Sequence, residues 1–139
     1  MDPSGLLDFF RKKDLFAASL GIELETMADG YAKASLELTP EHTNGLGIAH
    51  GGALFSLADL AFAAASNSHG TAAVAINATI SYVKAVSQGM LVAEAREVSR
   101  SSRLATYTVE VLDEGGSPCA IFQGTVYRKK EPLLPQADS

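Results

Sequence analysis

The sequence predicts an α+β fold in which a curved, largely antiparallel sheet wraps around one long central helix. Three observations predict it. An almost wholly apolar run from Gly51 to about Ser66 has helical length and a composition rich in Ala and Leu. One alternating strand precedes that run and four strand-like runs follow it. The later connections are too short for helical crossovers, so those strands must pair antiparallel.

In chain order, residues 4–20 carry apolar positions at mixed helical spacing. Ser4 or Asp14 is a candidate N-cap and Gly21 a stop, giving one helix or two short ones. From Tyr31 to Thr39, Ala32, Ala34, Leu36 and Leu38 alternate with Lys33, Ser35, Glu37 and Thr39, a half-buried strand that Pro40 ends. The central helix is apolar on every side and therefore reads as buried, with Asn67-Ser68-His69-Gly70 closing it. Strand-like runs follow at about 72–83, 90–99, 103–113 and 119–128. In the third, Ala105, Tyr107, Val109 and Val111 alternate with Thr106, Thr108 and Glu110. Asp113 to Pro118 reads as a hairpin turn, and residues from about 131 to 139 as a frayed tail. No internal repeat interrupts this pattern, and residues 1–139 read as one domain.

Composition narrows the function classes. A formal net charge of -5 argues against a duplex nucleic-acid partner. Basic residues still group locally, Arg96, Arg100 and Arg103 in one segment and Arg128, Lys129 and Lys130 in another. Either group is a solvated face or a seat for a phosphorylated small molecule. Cys119 is the single cysteine, which excludes an internal disulfide and a zinc knuckle and reads as a small core residue. No His/Cys/Asp cluster has metal-ligand spacing, and no cofactor is expected. The N-terminal apolar run is short and broken by Arg11-Lys12-Lys13-Asp14, and no run approaches the length of a membrane span. A cytoplasmic chain with no membrane partner is the expectation.

The chemistry concentrates between Asn44 and Asp59. A glycine-rich loop, Asn44-Gly45-Leu46-Gly47-Ile48-Ala49-His50-Gly51-Gly52, runs into the apolar helix, which carries one carboxylate, Asp59. Glycines at a helix mouth let a ligand reach free N–H groups where the helix dipole favours negative charge. A carboxylate in an apolar helix is costly unless something uses it. Donors for an oxyanion and a candidate base thus share one segment, which suggests acyl-transfer or hydrolytic chemistry. Asp59 has a bland alternative as a surface or capping residue, and Gly51-Gly52 as a permissive turn. Asn44 is either an orienting amide or a turn residue, and His50 either a base or a brace for the loop. His42 and His69 show no partner. Without a Gly-x-Ser-x-Gly elbow, a serine triad has little support.

Spacing adds a constraint. Gly51 and Asp59 lie about 12 Å apart along a helix, yet donor and base must both come within roughly 3 Å of one reacting group. Two antiparallel copies of the helix across a two-fold axis would solve this, Gly51 of one chain facing Asp59 of the other.

The run from Asn44 to Asp59 resembles the signature of hotdog-fold acyl-CoA thioesterases, closest to the PaaI-like branch named for phenylacetic-acid degradation. Similarity extends through Ala61-Phe62-Ala63, Ser66-Asn67-Ser68, Gly70, Ile80-Ser81-Tyr82 and Ile121 to Val126, roughly residues 15–128 in all. The resemblance implies a hotdog fold, a homodimer with shared sites and commonly a homotetramer. It also implies Asp59 as base or nucleophile, Gly51 as oxyanion donor, Asn44 positioning water or thioester, and His50 in support. Gly52, Phe55, Phe62 and Asn77 would face the substrate, and coenzyme A phosphates would lie near Arg100 and Arg103. One departure is Lys84-Ala85, where several relatives carry Arg-Pro; a helper Ser or Thr has no clear counterpart among Ala75, Asn77 and Thr79. The implied reaction is hydrolysis of an acyl-CoA, with phenylacetyl-CoA or another aryl or medium-chain thioester as candidate. A non-catalytic acyl-CoA-binding module is the alternative, and a hydratase suits His50 with Asp59 poorly.

Overall fold

The computed structural model describes residues 3–134. Two short helices, α1 (Pro3–Lys13) and α2 (Leu15–Leu20), precede the hairpin β1 (Glu23–Ala28) and β2 (Tyr31–Leu38). A single turn at Pro40–His42 and a loop lead to the long helix α3 (Gly51–Asn67). Four strands follow: β3 (Thr71–Tyr82), β4 (Gly89–Arg100), β5 (Leu104–Leu112) and β6 (Pro118–Pro132). All six strands form one sheet in the order β1-β2-β4-β5-β6-β3, and every pairing is antiparallel.

The helix lies close to the sheet because small residues meet small residues. Ala32 pairs across the strands with Ala95 and Ala34 with Ala93, and all four are fully buried. On α3, Ala58, Ala61, Ala64 and Ala65 are equally buried. Large side chains then fill the flanks. Phe62 meets Tyr107 edge-on and Phe122 at a tilt, with ring centroids 5.9 and 5.3 Å away. Gly124 makes room for it, since a Cβ there would come within 2.7 Å of the Phe62 ring. Burying one such aromatic contributes about 1.5–3 kcal/mol.

The N-terminal segment resolves into two helices. Asp14 caps α2, its Oδ1 accepting from the Ala17 N–H at 3.1 Å, and Gly21 ends the helix at φ 81°. Ser4 lies inside α1 and is not its cap. Strand β1 was not expected. Its buried residues, Leu24 and Met27, break two-residue alternation because the register shifts between Leu24 and Thr26. The Asp29-Gly30 turn, with both residues at positive φ, is the local signal for this hairpin. At the other end β6 runs to Pro132 and the Leu133 N–H donates to the Gly70 carbonyl at 2.8 Å. The start of the expected tail is therefore strand, while residues 135–139 lie outside the described residues. Cys119 is buried in β6 as expected.

Helix α3 is not buried all round. Gly52, Phe55, Ser56, Asp59 and Ala63 remain partly or fully open, one narrow stripe at helical spacing. Beyond it, β3 pairs only with β6, and Val74, Ile76 and Tyr82 on this edge strand are 44%, 59% and 52% exposed.

Candidate active site

The loop before α3 is a closed unit. The Asn44 N–H donates to the Ile48 carbonyl at 2.9 Å, and the Asn44 Oδ1 accepts from the Leu46 and Ile48 N–H groups at 2.9 and 3.4 Å. The Asn44 oxygen is thus a turn brace, and only its Nδ2 donors are uncommitted among the described residues. The His50 N–H donates to the His42 carbonyl at 2.8 Å, and the Ala49 N–H to the Val86 carbonyl at 2.7 Å. These bonds tie the loop to the turn before it and to the β3–β4 connection.

At the helix mouth, the His50 Nδ1 accepts from the Gly52 N–H at 2.8 Å. His50 is therefore an N-cap and a brace. This contact also occupies the Gly52 N–H, which removes Gly52 as a free donor to substrate. The Ala53 and Leu54 N–H groups both point to the His50 carbonyl. Among the described residues the Gly51 N–H has no acceptor, which leaves it as the open donor of the first turn. It borders a cavity of about 390 Å³ lined by Asn44, Ile48, Leu54, Tyr82, Lys84 and Val86.

Asp59 lies two turns further along, half-buried, in a smaller cavity of about 130 Å³. Asp14, Phe16, Phe55, Ser56 and Leu60 line it. Burial raises the Asp59 carboxyl above the ordinary carboxylate value, and the neighbouring Asp14 charge raises it further. Such a carboxylate holds its proton more readily and is a better base once ionised. Asp14 carried no functional signal in the sequence beyond its cap position. Within one protomer the Gly51 and Asp59 cavities share no lining residue.

The other sequence candidates divide. Phe55 lines the Asp59 cavity and meets Phe122 edge-on at 5.5 Å. Phe62 does not face a site: it is 1% exposed in the core, held by Tyr107 and Phe122. Asn77 is exposed on β3 opposite Thr125, outside both cavities. Arg100 is drawn to His69 and Glu97, with its Nε 4.0 Å from the Glu97 Oε2. Arg103 instead joins Arg128, Lys129 and Lys130 around a cleft of about 590 Å³. The two basic groups thus meet at Arg103 alone, while Arg96 pairs with Glu94 at 2.9 Å.

Both remaining histidines have partners that the sequence did not reveal. The His42 ring lies 2.7 Å from the Leu20 carbonyl and accepts from the Thr39 N–H at 3.0 Å. The His69 Nε2 lies 2.8 Å from the Glu97 Oε1. Sequence reasoning also missed Tyr82, whose hydroxyl donates to the Gly51 carbonyl at 3.1 Å from 31 residues away. Among the described residues no three His, Cys, Asp or Glu side chains are placed to hold a metal ion, and no helix is long and apolar enough to cross a membrane.

Comparison with known proteins meets this geometry. The family model described as Thioesterase superfamily matches residues 46–120. The Escherichia coli acyl-coenzyme A thioesterase PaaI is 36% identical over 118 residues, covering 84% of this chain and 84% of its own. A candidate esterase of Archaeoglobus fulgidus is 45% identical over 129 residues, 92% of this chain and 84% of its own. Among solved structures, the E. coli PaaI protein from the phenylacetic acid degradation operon superposes with a TM-score of 0.87 at 32% identity, covering 94% of this chain and 99% of that one.

Proposed function

The chain belongs to the thioesterase superfamily and is a thioesterase of the hotdog fold, and from that premise we propose that it hydrolyses an acyl-CoA to the free acid and coenzyme A. Aryl-acetyl and medium-chain acyl groups, phenylacetyl among them, are the substrate class of this reading. One observation carries the mechanism: α3 holds an open Gly51 N–H at its mouth and a half-buried Asp59 carboxylate two turns later. In the reaction Asp59 takes a proton from the attacking water or attacks the thioester carbon itself. Either route places negative charge on the carbonyl oxygen, and the Gly51 N–H meets that charge. The C–S bond then breaks and coenzyme A leaves as the thiolate. On the base route it takes up the proton held by Asp59; on the nucleophile route water then hydrolyses the acyl–Asp59 anhydride to release the acid. The Asp59 carboxylate, the Gly51 backbone N–H and water are the reacting groups of this reading, which calls for no metal or cofactor.

About 12 Å of helix separates donor from carboxylate, so the reading includes a homodimer with α3 helices antiparallel across a two-fold axis. The open stripe of α3 and the free edge of β3 support such a partner. Arg103, Arg128, Lys129 and Lys130 form the cleft suited to coenzyme A phosphates. Two such dimers would form the tetramer of this reading, in a cytoplasmic setting.

Thiol release from acetyl-, hexanoyl- and phenylacetyl-CoA tests the proposal. The wild-type chain should favour the longer two, and Asp59→Asn should lower kcat by about 10²–10⁴-fold with KM little changed. Wild-type turnover in Asp59→Asn, or no thiol release from any of the three, overturns it.

A further inference from the structure

We propose that Tyr82, the last residue of β3, is a positioning residue that fixes the Gly51 N–H for the reaction. The peptide linking Gly51 to Gly52 is held at both ends. Its N–H donates to the His50 Nδ1 at 2.8 Å, and its carbonyl accepts from the Tyr82 hydroxyl at 3.1 Å. A peptide is planar, so holding both polar ends fixes the orientation of that plane. The free Gly51 N–H belongs to the preceding peptide, whose His50 carbonyl accepts from the Ala53 and Leu54 N–H groups. With Tyr82 in place, both planes that meet at the Gly51 α-carbon are therefore held.

The Tyr82 ring adds a steric hold. A Cβ on Gly51 would lie 3.1 Å from both the Tyr82 Cζ and Oη, so the ring occupies the space any larger residue would need. The absence of a side chain at position 51 is thereby explained by contact, since Gly51 is not among the glycines at positive φ. Tyr82 is itself anchored. It pairs with Ala120 across the sheet, and the Val83 and Lys84 N–H groups both donate to the Cys119 carbonyl, at 3.0 and 3.3 Å. The sheet thus reaches through Tyr82 to the helix mouth and sets the direction of a donor on another element. A donor held before the reaction needs no reorganisation as charge develops.

This inference rests on the thioesterase reading of Gly51, and two variants separate them. Tyr82→Phe keeps the ring and removes the hydrogen bond. It should lower kcat on hexanoyl- and phenylacetyl-CoA about 5-fold, the scale of one neutral hydrogen bond. KM should stay within about twofold, because the donor acts mainly in the transition state. Tyr82→Ala removes ring and bond together and should cost about 10²-fold, approaching loss of an oxyanion donor. Amide hydrogen exchange supplies a readout independent of turnover: Tyr82→Phe should speed exchange at Gly52 while the α3 interior stays protected. Unchanged kcat and unchanged Gly52 exchange in Tyr82→Phe, beside an inactive Asp59→Asn, overturn the clamp alone. Full activity in Asp59→Asn overturns the base reading instead, whatever Tyr82 does. A matching rise in KM, with kcat intact, would mean that Tyr82 binds substrate and positions nothing.

Discussion

The two ends of α3 are built to opposite specifications. At the C-terminal end every polar side chain is committed. The Asn67 Nδ2 donates to the Ala63 carbonyl at 2.8 Å and its Oδ1 accepts from the Ala73 N–H at 2.9 Å. The Ser68 hydroxyl donates to the Ala65 carbonyl and accepts from the Gly30 N–H, tying the helix to the β1–β2 turn. Beside it Glu97 gathers the Tyr107 hydroxyl, His69 and Arg100; burial alone would raise its carboxyl, yet these partners hold it below the ordinary value. The N-terminal end has one cap, one clamp and an open N–H. The contrast separates the end where this helix is fastened from the end that presents one open donor, the Gly51 N–H of the proposed mechanism.

The contrast can be broken most directly across a dimer. Chains carrying Asp59→Asn or Gly51→Val should each be nearly inactive; the valine would press on the Tyr82 ring. In a purified mixed dimer one site collects both lesions and the other has neither. Thiol release should then recover to about half the wild-type rate, a gain on the order of 10²-fold over either parent. Mixed dimers as inactive as their parents would place both ends of the site within one chain.

A smaller effect should appear at the fastened end. Asn67→Ala strands the Ala73 N–H and frees the last turn, at a cost of about 2 kcal/mol in urea unfolding. Turnover of the folded enzyme should be unchanged. A loss of kcat without a loss of stability would erase the division between the ends.

The smallest effect concerns Asp59 as a burden on the fold. Its carboxyl is raised by burial and by Asp14, so between the ordinary carboxylate value and the raised one the folded chain binds more protons than the unfolded chain. Stability therefore falls as pH rises through that window. Asp59→Asn should raise Tm slightly at pH 7, with the gain disappearing in acid below the ordinary carboxylate range. A Tm difference independent of pH would assign the effect to something other than ionisation.

Much of this was legible in the sequence, for a physical reason. The apolar content of α3 and the alternation of β2 and β5 report burial, and burial follows side-chain periodicity. His50, Gly51 and Asp59 could be read together because one helix carries them at fixed spacing. Strand β1 was lost because a register shift breaks the alternation of Leu24 and Met27. Phe62 looked like a substrate contact because sequence cannot say which side of an all-apolar helix faces the sheet. The roles of Tyr82, His42 and His69 depend on contacts between distant segments, and no local pattern encodes them.

The position of β3 also matters while the chain is being made. Its one neighbour in the sheet is β6, the last strand in the order of synthesis. At about 5–20 residues per second, the ribosome leaves β3 without a pairing partner for a few seconds. During that interval Val74, Ile76 and Ile80 belong to an emerging strand whose hydrogen-bonding groups are unmatched along both edges. The N-terminal hairpin and α3 can form earlier, but the sheet cannot close until β6 arrives beside β5. A ribosome stalled just short of Pro118 would hold a nascent chain with β3 still unpaired and both of its edges open to pairing with another chain.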